Sequence, residues 1–106
     1  MPVPLIVQWG EEATSDLEEL LAYIAQDNPA ASLRIRDIIW EAAEYLSWFP
    51  QTGHKSDVPD VWIKPLSRYP YLIFYTIVGE ELHVLRVLHG ARRHPGFQEE
   101  AAAFVR

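Results

Sequence analysis

The chain contains no cysteine, which excludes disulfide frameworks, thiolate metal sites and cysteine nucleophiles, and fits a reducing compartment. It has no run near the roughly 18 apolar residues that a membrane span needs. The start, Met-Pro-Val-Pro-Leu-Ile-Val, has neither the basic region nor the long apolar stretch of a signal peptide. A single-domain, soluble, cytoplasmic protein is expected. Basic charge is also scarce: 9 Lys and Arg stand against 15 Asp and Glu, for a net charge of −6. Binding to a polyphosphate draws on several cations, so strong direct nucleic-acid binding is not expected.

The charge is unevenly spread. Residues 1–50 hold two Arg against nine acids, net −7, while residues 51–96 hold six cations against four acids, net +2. An acidic first half suits a basic partner, and the second half offers a local basic face. With 49% apolar residues and four Trp, 106 residues suffice for one core. A domain over residues 1–96 is expected, followed by a tail over 97–106 whose Glu99 to Val105 forms a last helical turn or frays.

The apolar pattern then sets the elements. Leu5, Ile6 and Val7 form a short β-prone run ended by Gly10. Leu17, Leu20, Leu21 and Ile24 fall at i, i+3, i+4 and i+7, a helical stripe running to about Asp27. Asn28 caps and Pro29 restarts a second helix to about Trp48, with a stripe of Ile35, Ile38, Ile39, Ala42, Leu46 and Phe49. After a turn-rich loop come Val61 to Lys64, kept to a sheet edge by Pro65, then Tyr71 to Val78 and Leu82 to Leu88 as a hairpin. The unbroken apolar run from Tyr71 predicts a strand buried on both faces. The sum is α+β, β-α-α-β-β-β, with a helix hairpin packed on one face of a mostly antiparallel sheet.

Several strings, in order, resemble the ParE toxin family of the RelE/ParE superfamily, also called plasmid stabilisation proteins. They include Trp9-Gly10-Glu11-Glu12-Ala13, Asp16-Leu17-Glu18-Glu19-Leu20, Asp27-Asn28-Pro29-Ala30-Ala31 and Phe49-Pro50-Gln51-Thr52-Gly53. The most specific are Arg68-Tyr69-Pro70-Tyr71-Leu72-Ile73-Phe74-Tyr75 and Leu85-Arg86-Val87-Leu88-His89-Gly90-Ala91-Arg92. The resemblance spans about Val7 to Pro95. It implies a type II toxin neutralised by a cognate antitoxin that lays a segment over the helix hairpin and sheet, in a heterotetramer or larger complex. For the ParE branch it implies DNA gyrase as target, and for the RelE branch messenger RNA cut on the ribosome.

An endoribonuclease needs clustered cations around phosphate and a group to move the 2′-hydroxyl proton. The candidates for that role are Arg68, Arg86 and His89; Lys64, Arg92, Arg93 and His94 lie in the same half. Arg86 is mid-strand, where a charge needs a partner. Two departures from the RNase branch stand out: that branch tends to be basic and lysine-rich after the helices, and to carry an aromatic hydroxyl near the C-terminus. Here the lysines are Lys55 and Lys64, and no Tyr follows Tyr75. Protein binding is therefore expected before catalysis, with Arg86, His89, Arg92 and Arg93 facing the target. Leu17, Leu21, Trp40, Trp48 and Trp62 are the residues expected to meet the antitoxin. A decayed toxin that only binds its antitoxin is the other alternative. His89 and His94 have no third ligand at a recognisable spacing, so no metal and no cofactor are expected.

Overall fold

Local signals decide where the helices begin and end. In the computed structural model, which describes residues 2–90, β1 (Ile6–Trp9) stops at Gly10 and α1 (Glu11–Asp27) starts at once. Glu11 and Glu12 lie in its first turn, where the exposed N–H groups favour negative charge. Asn28 ends α1 and caps α2 (Pro29–Trp48), its side-chain oxygen accepting from the Ala31 N–H at 3.0 Å. Pro29 at the first helical position loses no hydrogen bond there. The buried Ser32 hydroxyl donates to the Leu21 carbonyl at 2.8 Å, stitching the two helices together.

The rest of the chain is sheet: β2 (His54–Lys55), β3 (Trp62–Pro65), β4 (Tyr71–Val78) and β5 (Glu81–His89). The order is β1-β5-β4-β3-β2, with β1 parallel to β5 and all other pairs antiparallel. The predicted fold is therefore present, enlarged by the two-residue strand β2, which takes the sheet edge expected for β3 by pairing with Trp62 and Ile63. Gly79 turns β4 into β5 at φ +59, a left-handed conformation that glycine adopts freely. Pro65 pairs with Leu72 beyond the two residues of β3 that β2 covers, so its missing N–H faces no strand.

β4 is buried on both faces, as its composition predicts. Ile73 and Tyr75 join Ala13, Leu17, Ile35, Ile39, Ala43 and Leu46 of the helices in the main core. On the opposite face Leu72 and Phe74 pack with Leu85 and with Val58 and Val61 of the loop before β3. The Thr76 hydroxyl donates to the Asp60 carbonyl at 2.6 Å and pins that loop down. One part of the α2 stripe differs from expectation: Ala43 is in the core, while Phe49 is 54% exposed. Phe49 is the C-cap, at φ −130 and ψ 67, so its side chain no longer follows the helical rotation.

A bulge interrupts the β4–β5 ladder: Phe74 pairs with Arg86 and Tyr75 with Val84, leaving Leu85 extra. No helix among the described residues is long and apolar enough to cross a membrane. The expected boundary at residue 96 and the tail over 97–106 lie outside the described residues.

Candidate binding surfaces

The strand Arg is held in place by a distant acid. Last of its four pairs with β5, β1 meets Val84 through Trp9, and the Gly10 N–H then donates to the Val84 carbonyl at 3.0 Å. Beyond that point α1 lies where a strand would continue. Asp16, on the first turns of α1, accepts the backbone N–H of Val87 at 3.0 Å through Oδ2. The same carboxylate takes Arg86 in a two-pronged pair, Nε to Oδ2 at 2.7 Å and Nη2 to Oδ1 at 2.8 Å. Side-chain exposure is 16% for Arg86 and 13% for Asp16. Asp16 thus substitutes for the missing strand and neutralises a half-buried guanidinium. Arg86 joins helix to sheet.

The other cations expected at the site are placed differently. His89 ends β5 opposite Tyr71, whose ring meets its imidazole edge-on at 5.6 Å between centroids. Arg68 is exposed in the turn before β4, at the same end of the ladder, where the Gly90 N–H donates to the Pro70 carbonyl at 2.6 Å. Arg92, Arg93 and His94 lie outside the described residues. Among the described residues no group of three or more His, Asp or Glu is arranged to hold a metal.

The hydroxyl nearest the C-terminus among the tyrosines is used structurally. The Tyr75 hydroxyl donates to the Pro50 carbonyl at 2.7 Å and accepts the Gly53 N–H at 3.2 Å. Burial raises its pKa above the ordinary 10.0, and the Gly53 N–H works against that rise. Glycine is required at position 53. A Cβ there would collide with the Tyr75 hydroxyl and come within 2.8 Å of the Ile63 carbonyl.

The five residues expected to meet an antitoxin fall on two surfaces. Leu17 and Leu21 of α1, Trp40 of α2 and Trp9 of β1 line an open apolar groove of about 300 Å³. Trp9 and Trp40 stack at 5.1 Å, nearly parallel at 5°. Glu18 and Arg36 also line it, and Arg36 pairs with Asp37 at 3.1 Å. Trp40 is 54% exposed, so a large apolar ring faces solvent beside leucines. Trp9 was not marked by the sequence as part of this surface; its place beside Val7 in the β1 alternation, both on the helix side, is the signal that could have found it. Trp48, 48% exposed, and the half-buried Trp62 lie elsewhere, near the C-terminal end of α2 and on β3. Trp62 stacks on Tyr75 at 6.3 Å rather than standing free.

The chain is thus a small α+β domain with an open apolar groove on its helix hairpin and with its strand Arg and its buried Tyr hydroxyl hydrogen-bonded within the scaffold. The chain belongs to the family of the ParE toxin of the type II toxin–antitoxin system, parDE, whose model matches residues 7–94. It is a type II toxin of the ParE/RelE superfamily, and that family implies a cognate antitoxin. The chain is 29% identical to the putative toxin Y4kP of Sinorhizobium fredii over 89 residues, 84% of this chain and 92% of that one. It is 30% identical to toxin RelE2 of Caulobacter vibrioides over 88 residues, 81% of this chain and 96% of that one. A chain of the chromosomal ParDE TA system from P. aeruginosa shares its fold, with a TM-score of 0.73 at 24% identity over 80% of this chain and 95% of that chain.

Proposed function

We propose that this toxin acts by binding rather than by catalysis, arresting DNA gyrase until its antitoxin removes it. The observation that carries this reading is the pairing of Arg86 with Asp16. A phosphate-cleaving site needs a cation cluster free to follow the charge that develops on phosphorus. Here both Nε and Nη2 of Arg86 are bonded to a carboxylate that also holds a backbone N–H. The Tyr75 hydroxyl is bonded on both sides. Arg68 and His89 alone would supply weak stabilisation.

The antitoxin on this reading lays an apolar segment in the Trp9–Trp40 groove, with Leu17 and Leu21 beneath it. The acidic charge of residues 1–50 favours a segment that is basic on its outer side. Gyrase is met by the basic second half. Relatives carry both ParE and RelE names, so the target must be separated by assay. Purified toxin is expected to block gyrase supercoiling and to leave message intact on translating ribosomes. Cut message that Arg86→Ala abolishes, with supercoiling unaffected, would establish the endoribonuclease instead. Unimpaired growth on induction without antitoxin would mark a decayed toxin.

A further inference from the structure

The chain has two lysines, and the fold brings both to one corner. Lys64 leaves β3 with its Nζ 5.5 Å from the centre of the Tyr45 ring on α2. Tyr45 in turn packs against Phe49 at 4.9 Å. Two residues before Lys64, and so on the same face of the strand, Trp62 carries the ammonium of its register partner Lys55 at 5.8 Å. Contacts therefore run from Phe49 through Tyr45 to Lys64, and along β3 to Trp62 and Lys55. Neither lysine forms an ion pair among the described residues.

An ammonium over a ring face is held by the ring quadrupole yet keeps N–H donors directed at solvent. Two such groups beside exposed aromatic surface form a two-pronged receptor for carboxylates with an apolar seat next to Lys64. We propose that this corner docks an acidic segment of another protein, its carboxylates on Lys55 and Lys64 and one apolar side chain against Tyr45 and Phe49. Charge complementarity directs the choice. Residues 1–50 carry a net charge of −7, and an acidic partner meets positive charge where Lys55 and Lys64 come up beside the C-terminal end of α2. Single-stranded nucleic acid is also anionic, but it binds by stacking bases on open ring faces. Here the Trp62 ring already meets Lys55 and stacks on Tyr75, and the Tyr45 ring meets Lys64 and packs against Phe49. The corner is separate from the Trp9–Trp40 groove, so the inference stands whichever target the toxin arrests.

The test uses the full chain and a fluorescein-labelled peptide of glutamates flanking a Leu-Phe pair, read by anisotropy at low salt. Saturable binding is expected. It should weaken about tenfold in Lys55→Gln/Lys64→Gln, about threefold for each exposed ion pair. Lys55→Arg/Lys64→Arg should retain it, and Trp40→Ala in the groove should leave it unchanged. Any of the following would overturn the proposal: no binding at roughly 1 mM, the weak end of measurable affinity; equal binding of a peptide with glutamine for glutamate; or full binding by the double Gln variant. Tighter binding of an oligothymidylate would assign the corner to nucleic acid and overturn it as well. So would concentration-dependent self-association lost in the double Gln variant, which would assign it to the acidic hairpin of a second copy.

Discussion

Asp16 and Arg86 are 70 residues apart in the chain and 2.7 Å apart in the fold, and the pair joins α1 to β5. Asp16→Ala takes the carboxylate from the Arg86 guanidinium and from the Val87 N–H. A loss of about 3 kcal/mol in unfolding free energy is expected, the low end for a broken buried pair because both groups keep some exposure. Asp16→Ala/Arg86→Met should lose less than the sum of the single changes, measured by urea unfolding. Additive losses would mean that the two side chains do not act together. Tyr75 gives a second test at this scale. Its pKa is raised in the folded chain, so the stability tied to its protonated form is complete below the unfolded value of about 10. Above that pH the unfolded chain releases the proton first, and stability falls as pH rises toward the folded pKa. Tyr75→Phe should cost about 1–3 kcal/mol at neutral pH through the unpaired Pro50 carbonyl and Gly53 N–H. Its stability should also fall less steeply above pH 10 than that of the parent chain.

Among the elements, α2 depends on its cap. Asn28→Ala removes the bond to the Ala31 N–H and should cost about 1 kcal/mol, read from the shift in the urea midpoint at constant m-value. The helices and the long strands could be read from sequence because their signals are local: the Leu17-Leu20-Leu21-Ile24 spacing, the Asn28-Pro29 restart and the unbroken apolar run of β4. What could not be read depended on tertiary contact. His54–Lys55 has no alternation of its own and becomes a strand by pairing with Ile63 and Trp62. Phe49 continues the α2 stripe in spacing, but the chain has left the helix there. Arg86 advertised that a mid-strand charge needs a partner, yet nothing near it in sequence named Asp16. The tryptophans expected on one surface separated onto two because Trp40 and Trp48 differ by eight positions, which turns them about 80° apart around the helix.

At the scale of the molecule, the helix hairpin is acidic and apolar, while the lysine corner is cationic and aromatic. On the proposed reading, this separation lets one small domain keep an antitoxin and a target on different surfaces. Trp40→Ala should lower antitoxin affinity about 30-fold, as for a central aromatic anchor, with binding followed by calorimetry. Its effect on folding should stay within about 1.5 kcal/mol, since half of the ring is already exposed and the stack on Trp9 is the main loss. Unchanged affinity would move the antitoxin off this groove. The most direct measurement is of gyrase-cleaved DNA: toxin is incubated with gyrase, supercoiled plasmid and ATP, and the mixture is then treated with detergent and protease. Linear plasmid is expected to accumulate with toxin dose and to vanish when the antitoxin is added in equal amount. Plasmid left intact by folded toxin at saturating dose would contradict a gyrase poison.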